Sequence, residues 1–71
     1  MVGAAIRQAA EQLAATSDTA RLDAEVLMAH ALGVPRSELL LRHMRDPVPP
    51  AFAALAQRRL AHEPVAYILG E

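Results

Sequence analysis

The stretch from Arg21 to Gly33, RLDAEVLMAHALG, constrains the fold more than any other. At about 100° per residue, Leu22, Val26 and Ala29 share one side of a helix, and Ala24, Leu27, Met28 and Ala31 share the opposite side. Only two narrow strips are polar, Asp23 with His30 and Arg21 with Glu25. A helix that is apolar nearly all round is a buried helix. In a chain of 71 residues the other elements must then pack around it. Asp23 and Glu25 fall in its first turn, where carboxylates interact favourably with the positive end of the helix dipole. Asp18 or Thr19 can supply the N-cap, and Gly33 a left-handed C-terminal stop. The segment is expected to be the central post of a small helical bundle.

The flanking segments fit that expectation. Ile6, Ala9, Ala10 and Leu13 follow helical spacing and predict a first helix from about Val2 to Ala15, with Arg7 and Glu11 paired on its outer side. The polar run Thr16 to Thr19 is a short turn. Gly33-Val34-Pro35 breaks the chain, and a third helix is predicted from Arg36 to His43, with Glu38 in its first turn. Leu39, Leu40 and Leu41 are consecutive, so at least one points away from the main core. Wedging between two layers is the simpler account, and an exposed apolar contact for another domain or partner the alternative.

Arg45 to Pro50 holds three prolines and reads as a rigid connector. A fourth helix is predicted from near Pro50 to about His62, with Phe52, Leu55, Ala56 and Leu60 inward. Arg59 falls within that inner face and Arg58 at its edge. Glu63-Pro64 ends the helix, because the residue before proline is pushed out of the α region. Val65 to Leu69 then forms a last short turn, closed by Gly70. So apolar a tail packs back onto the bundle or leads into something else.

These readings predict an all-α fold, one domain over residues 1–71 built as an antiparallel bundle of about five helices. Its expected core is Leu13, Val26, Leu27, Phe52, Leu55 and Ile68. A domain of this size buries only about 60% of its unfolded surface. The chain is 54% hydrophobic, but much of that is alanine, so Leu, Ile, Val and Met must carry the core beside the two aromatics Phe52 and Tyr67.

Composition also narrows function. Without cysteine there is neither a disulfide framework nor a thiolate metal site. Net charge is −1 and the seven arginines are dispersed, which argues against a nucleic-acid footprint. No apolar run approaches the roughly 20 residues of a membrane helix, and no signal-peptide pattern is evident, so cytoplasm is the expected compartment.

His30, His43 and His62 lack the spacing of a metal site. Ser17 and Ser37 stand at helix starts, where capping accounts for them better than nucleophilic catalysis. No glycine-rich phosphate loop is present. The chain therefore reads as a binding or structural module with no catalytic, cofactor or metal residue of its own. A rival reading takes Ala29 to Leu39 as the corner of a helix-turn-helix, with Arg36, Ser37 and Arg42 facing DNA. The short, leucine-rich second helix and the near-neutral charge weigh against it.

Two motifs in order carry a resemblance. Asp23-Ala24-Glu25 with Leu27 and Leu32-Gly33 is followed by Arg58-Arg59 and then Glu63-Pro64-Val65-Ala66-Tyr67-Ile68-Leu69-Gly70. The chain thus resembles the N-terminal helical domain of the HemK/PrmC family, methyltransferases of peptide chain release factors. In that family a D-A-E helix precedes an R-R-x-x-x-E-P-x-A-Y-I-x-G segment. The likeness covers most of the chain, is weaker over the first helix and over Arg45 to Pro50, and departs at His62, where a small residue is expected.

The resemblance implies an enzyme that moves a methyl group from S-adenosylmethionine to the glutamine amide of the release factor's Gly-Gly-Gln loop. It also implies that the cofactor site and the Asn-Pro-Pro-Tyr motif lie in a later Rossmann-like domain, beyond Glu71. This segment would then recognise and position the release factor, with its own catalytic domain as second partner. Glu63, Pro64, Tyr67 and Gly70 would form the approach to the interdomain linker. A pure folding scaffold for the parent enzyme is the third possibility.

The inward Arg59 needs an acceptor, because an unpaired buried charge is very costly. Glu25 is the first expected partner, for its reach and its place beside the Leu22/Val26 side. Asp23 is the alternative, and Arg58 is left with the carboxylate Arg59 does not use. Such a pair would fix how the fourth helix and the tail sit on the bundle.

Overall fold

The computed structural model describes residues 1–70, and Glu71, the last residue of the expected domain, lies outside them. Five α-helices follow in the order α1 (Val2–Leu13), α2 (Ala20–Leu32), α3 (Arg36–Glu38), α4 (Ala51–Leu60) and α5 (Val65–Ile68). A π-helical turn, Leu39–His43, continues directly from α3. There is no strand among the described residues, so the all-α expectation holds. The radius of gyration is 10.8 Å, against about 11 Å for a compact chain of this length.

Helix α1 buries Val2, Ile6, Ala9 and Leu13, spaced four, three and four residues apart as an amphipathic helix requires. Its largest interface is with α2, which also packs on α4, on α3 and on the π turn. The central-post reading of α2 is therefore correct in topology. Its orientation differs from the expectation. Ala24, Leu27, Met28 and Ala29 are buried, whereas Leu22 is 43% exposed and Val26 only partly covered. The strip Leu22–Val26–His30, with i, i+4 spacing, faces outward. Leu55 is likewise only partly buried, while Leu13, Leu27, Phe52 and Ile68 take their expected core places. Arg7 and Glu11 are both exposed and, among the described residues, do not form the expected ion pair.

The ends of the helices explain the remaining boundaries. Helix α1 has no side-chain cap; instead the amides of Val2 and Gly3 donate to the carbonyls of Asp46 and Met44, each at 2.8 Å. The connector thereby satisfies donors that a helix N-terminus leaves open. Gly3 suits that approach, since a Cβ there would lie 3.3 Å from the Met44 carbonyl oxygen, a tight contact. Gly33 ends α2 at φ 73°, as expected of a left-handed C-terminal residue.

The predicted single helix from Arg36 to His43 is corrected to an α-to-π transition. The wider turn keeps Leu39 in the core and holds Met44 partly covered beneath it, while Leu40 and Leu41 turn out. Helix α4 stops at Leu60, two residues earlier than expected, because His62 adopts φ 72°. Its amide donates to the Arg59 carbonyl and that of Glu63 to the Arg58 carbonyl, a helix end in which glycine is the usual residue. A side chain in that conformation costs roughly 1–2 kcal/mol, so the contacts that follow His62 must hold the corner in place.

Candidate functional site

The residues of the two motifs meet around the first half of α2. Asp23, buried, gathers three donors: Ser17 Oγ donates to Oδ2 at 2.8 Å, Thr19 Oγ1 to Oδ1 at 3.1 Å, and Arg59 Nε to Oδ2 at 3.2 Å. Thr19 stands at the N-cap, but its hydroxyl is spent on Asp23 rather than on a helix amide. Arg59 belongs to α4, and its Nη1 also donates to the Glu63 carbonyl at 3.2 Å. One guanidinium thus ties α2, α4 and the residue before Pro64. Side-chain exposures of 18% for Arg59 and 10% for Asp23 mark this as a largely desolvated pair.

Glu25, expected as the first partner of Arg59, is not its partner. Its Oε2 accepts from Arg21 Nε and its Oε1 from Arg36 Nε, both at 2.8 Å. Two residues along a helix are about 200° apart. Asp23 and Glu25 therefore face nearly opposite sides of α2, and their arginines place α4 on one side and α3 on the other. Arg58 takes neither carboxylate: Nε and Nη2 make a two-pronged contact with Glu63, at 3.0 and 3.1 Å. Glu63 is consequently held twice, by its carbonyl and by its carboxylate. Pro64 then opens α5, whose Ile68 is buried and whose Tyr67 is 68% exposed. Gly70 closes the turn at φ 79°.

A pair that the spacing did not single out lies at the other end of the π turn. His43 Nδ1 and Asp46 Oδ2 are 2.8 Å apart, bracing the turn whose carbonyls cap α1. The only available signal was the separation of three residues at a helix end.

Burial pushes the Glu25 carboxyl up, but the guanidiniums of Arg21 and Arg36 outweigh that and hold it below its ordinary value of 4.5. Arg58 lowers Glu63 in the same way. A carboxyl depressed in the folded state stabilises above its unfolded pKa and loses that contribution as pH falls through the folded value. Stability is therefore expected to hold from neutral pH to about 4.5 and to decline below it. Glu25→Gln should flatten that decline. Urea unfolding at pH 7, 4.5 and 3 checks it, and equal slopes for both proteins would contradict it.

The chemistry available is that of a folding network. Among the described residues no cluster of three or more His, Cys, Asp or Glu could hold a metal ion. No helix among the described residues is long and apolar enough to cross a membrane. A shallow groove of about 230 Å³ runs between α1 and α4, with Gln8, Gln12 and Gln57 over an Ala and Phe52 floor, and it presents no titratable side chain. The helix-turn-helix reading finds no support in the geometry. The supposed recognition helix has three α-helical residues before the π turn, and Arg36 is held by Glu25.

Residues 4–70 match the protein family described as the PrmC N-terminal domain. Among curated proteins the chain is similar to the release factor glutamine methyltransferase of Vibrio cholerae, 45% identical over 74 residues that span 99% of the chain and 26% of that protein. It is also similar to that of Bordetella pertussis, 54% identical over 70% of the chain and 20% of that protein. A third, from Corynebacterium glutamicum, is 41% identical over 97% of the chain and 25% of that protein. The chain thus spans about a quarter of the length of these relatives. No solved structure matches it significantly.

Proposed function

The chain belongs to the PrmC N-terminal domain family, and from that premise we propose that it is the substrate-positioning module of a release factor glutamine methyltransferase. In this reading it engages the release factor and orients it toward a catalytic domain that follows Gly70. That domain, not this one, binds the methyl donor S-adenosylmethionine and carries the transfer to the Gly-Gly-Gln glutamine. The protein works in the cytoplasm, where its substrate is.

The observation that carries the reading is how the motif residues are used. Asp23, Glu25, Arg58, Arg59 and Glu63 are all engaged within the fold, and three of them hold the corner from which the chain leaves α4. Residues spent in this way fix geometry, which supports a positioning role for the two motifs. Remote binding energy that orients a reacting group is a recognised source of rate. Glu63, Pro64, Tyr67 and Gly70 then serve as the start of the link, with the exposed Tyr67 ring available to the next domain.

Titrating the labelled chain with a release factor, with S-adenosylmethionine and with duplex DNA tests this. Binding is expected to the release factor alone, apart from weak, salt-sensitive association with DNA. Tight, sequence-dependent DNA binding would overturn the proposal.

A further inference from the structure

We infer that Leu40, Leu41, Arg42 and Arg45 form the surface on which the protein substrate docks, through an acidic segment with apolar side chains. This rests on the substrate-positioning reading and adds the place and the chemistry of contact. Leu41 is 82% exposed, the most of any large apolar residue described, and Leu40 is 39% exposed beside it. Three consecutive leucines cannot all face the core, and the chain adopts a π turn there, a geometry frequent at functional sites.

Charge identifies the occupant. Arg21, Arg36, Arg58 and Arg59 are all paired with carboxylates. Arg42 and Arg45 are exposed and pair with no carboxylate among the described residues. They lie one and four residues beyond Leu41. Of the nearby carboxylates, Asp46 is engaged by His43 and Glu38 is partly covered. An apolar side chain flanked by two free guanidiniums fits a partner segment whose own apolar residues are flanked by Asp or Glu. The surface is also held in advance, since the next residues are bonded to the first turn of α1; a rigid surface loses less entropy on binding.

Its position leaves it open. The π turn packs on α2 and continues α3, whereas α5 packs on α4. The Asp23 and Glu25 pairs put α3 and α4 on nearly opposite sides of α2. In this reading a catalytic domain following α5 lies on the α4 side of α2. The domain measures only 29 × 24 × 20 Å, so a protein partner can span both.

The test measures the affinity of the chain for a release factor at low and raised salt, for wild type, Leu41→Ser, the double variant Arg42→Glu/Arg45→Glu and the control Arg7→Glu. All four sites are exposed, and folding is checked by thermal melts. Leu41→Ser is expected to weaken binding about tenfold and the double variant by tenfold or more, with a smaller salt dependence. Arg7→Glu should stay within about twofold. If wild type binds and both variants bind equally well, the surface is wrong while the positioning role stands. If wild type does not bind, the positioning role fails and the surface with it. If Leu41→Ser instead abolishes self-association of the chain, or lowers only the melting temperature of the parent enzyme, the face is covered by a second copy or by the catalytic domain, and the inference is overturned.

Discussion

Leu27→Ala is expected to destabilise the domain by about 2–5 kcal/mol, the range for emptying a fully buried leucine site. Leu27 has no exposed surface and lies on α2, the helix on which α1, α3, α4 and the π turn all pack. A cavity there is felt by every neighbour, and interiors relax only partly around lost volume. A chain of 71 residues holds roughly 4–11 kcal/mol in total. The substitution therefore removes a large share of its stability and shifts the urea midpoint sharply downward. Leu41→Ala, with 82% of its surface already in water, is the matched control and should stay within about 0.5 kcal/mol. A loss below about 0.5 kcal/mol for Leu27→Ala would contradict the central role of α2.

The second large effect concerns Asp23 and Arg59. Asp23→Asn leaves a largely buried guanidinium without its counter-charge and weakens the bonds from Ser17 and Thr19. Breaking a fully buried pair from one side costs about 3–5 kcal/mol. With 18% and 10% of the two side chains still exposed, about 1.5–3 kcal/mol is expected. Arg59→Met keeps the stem and removes the charge, so the two changes should couple by about 1–2 kcal/mol in a double-mutant cycle. Glu25→Gln should show coupling near zero with Arg59→Met, because Glu25 is held by Arg21 and Arg36. Strong coupling to Glu25 and none to Asp23 would contradict the arrangement. Arg59→Met also frees the Glu63 carbonyl, so in that variant the α4–α5 corner, already carrying the strained His62, should become the first region to exchange its amide hydrogens.

What could be read from the residues alone depended on how local the signal was. The α1 face, the Gly33 stop, the break at Glu63-Pro64 and the inward position of Arg59 follow from spacing within one element, and the structure has each of them. The choice between Asp23 and Glu25 was not local. The two face nearly opposite sides of α2, so the answer depended on which side α4 occupies, and Arg36 eleven residues on was an unseen competitor. The outward strip of α2 was hidden for a related reason. With apolar residues all round, periodicity does not distinguish the Leu22–Val26 side from the Leu27–Met28 side. Three consecutive leucines carry no period at all, so the π turn could be anticipated only as a conflict at Leu39 to Leu41.

The central claim is that this domain positions a protein substrate for chemistry done elsewhere in its parent. The most direct measurement compares the parent methyltransferase with a form lacking residues 1–71, on intact release factor and on a free Gly-Gly-Gln peptide. The account predicts that the deletion lowers kcat/KM on intact factor by a hundredfold or so and leaves the peptide reaction unchanged, which also shows that the remaining domain is folded. Equal activity of the two forms on both substrates would contradict it, and an equal loss on both would make the domain a folding scaffold instead.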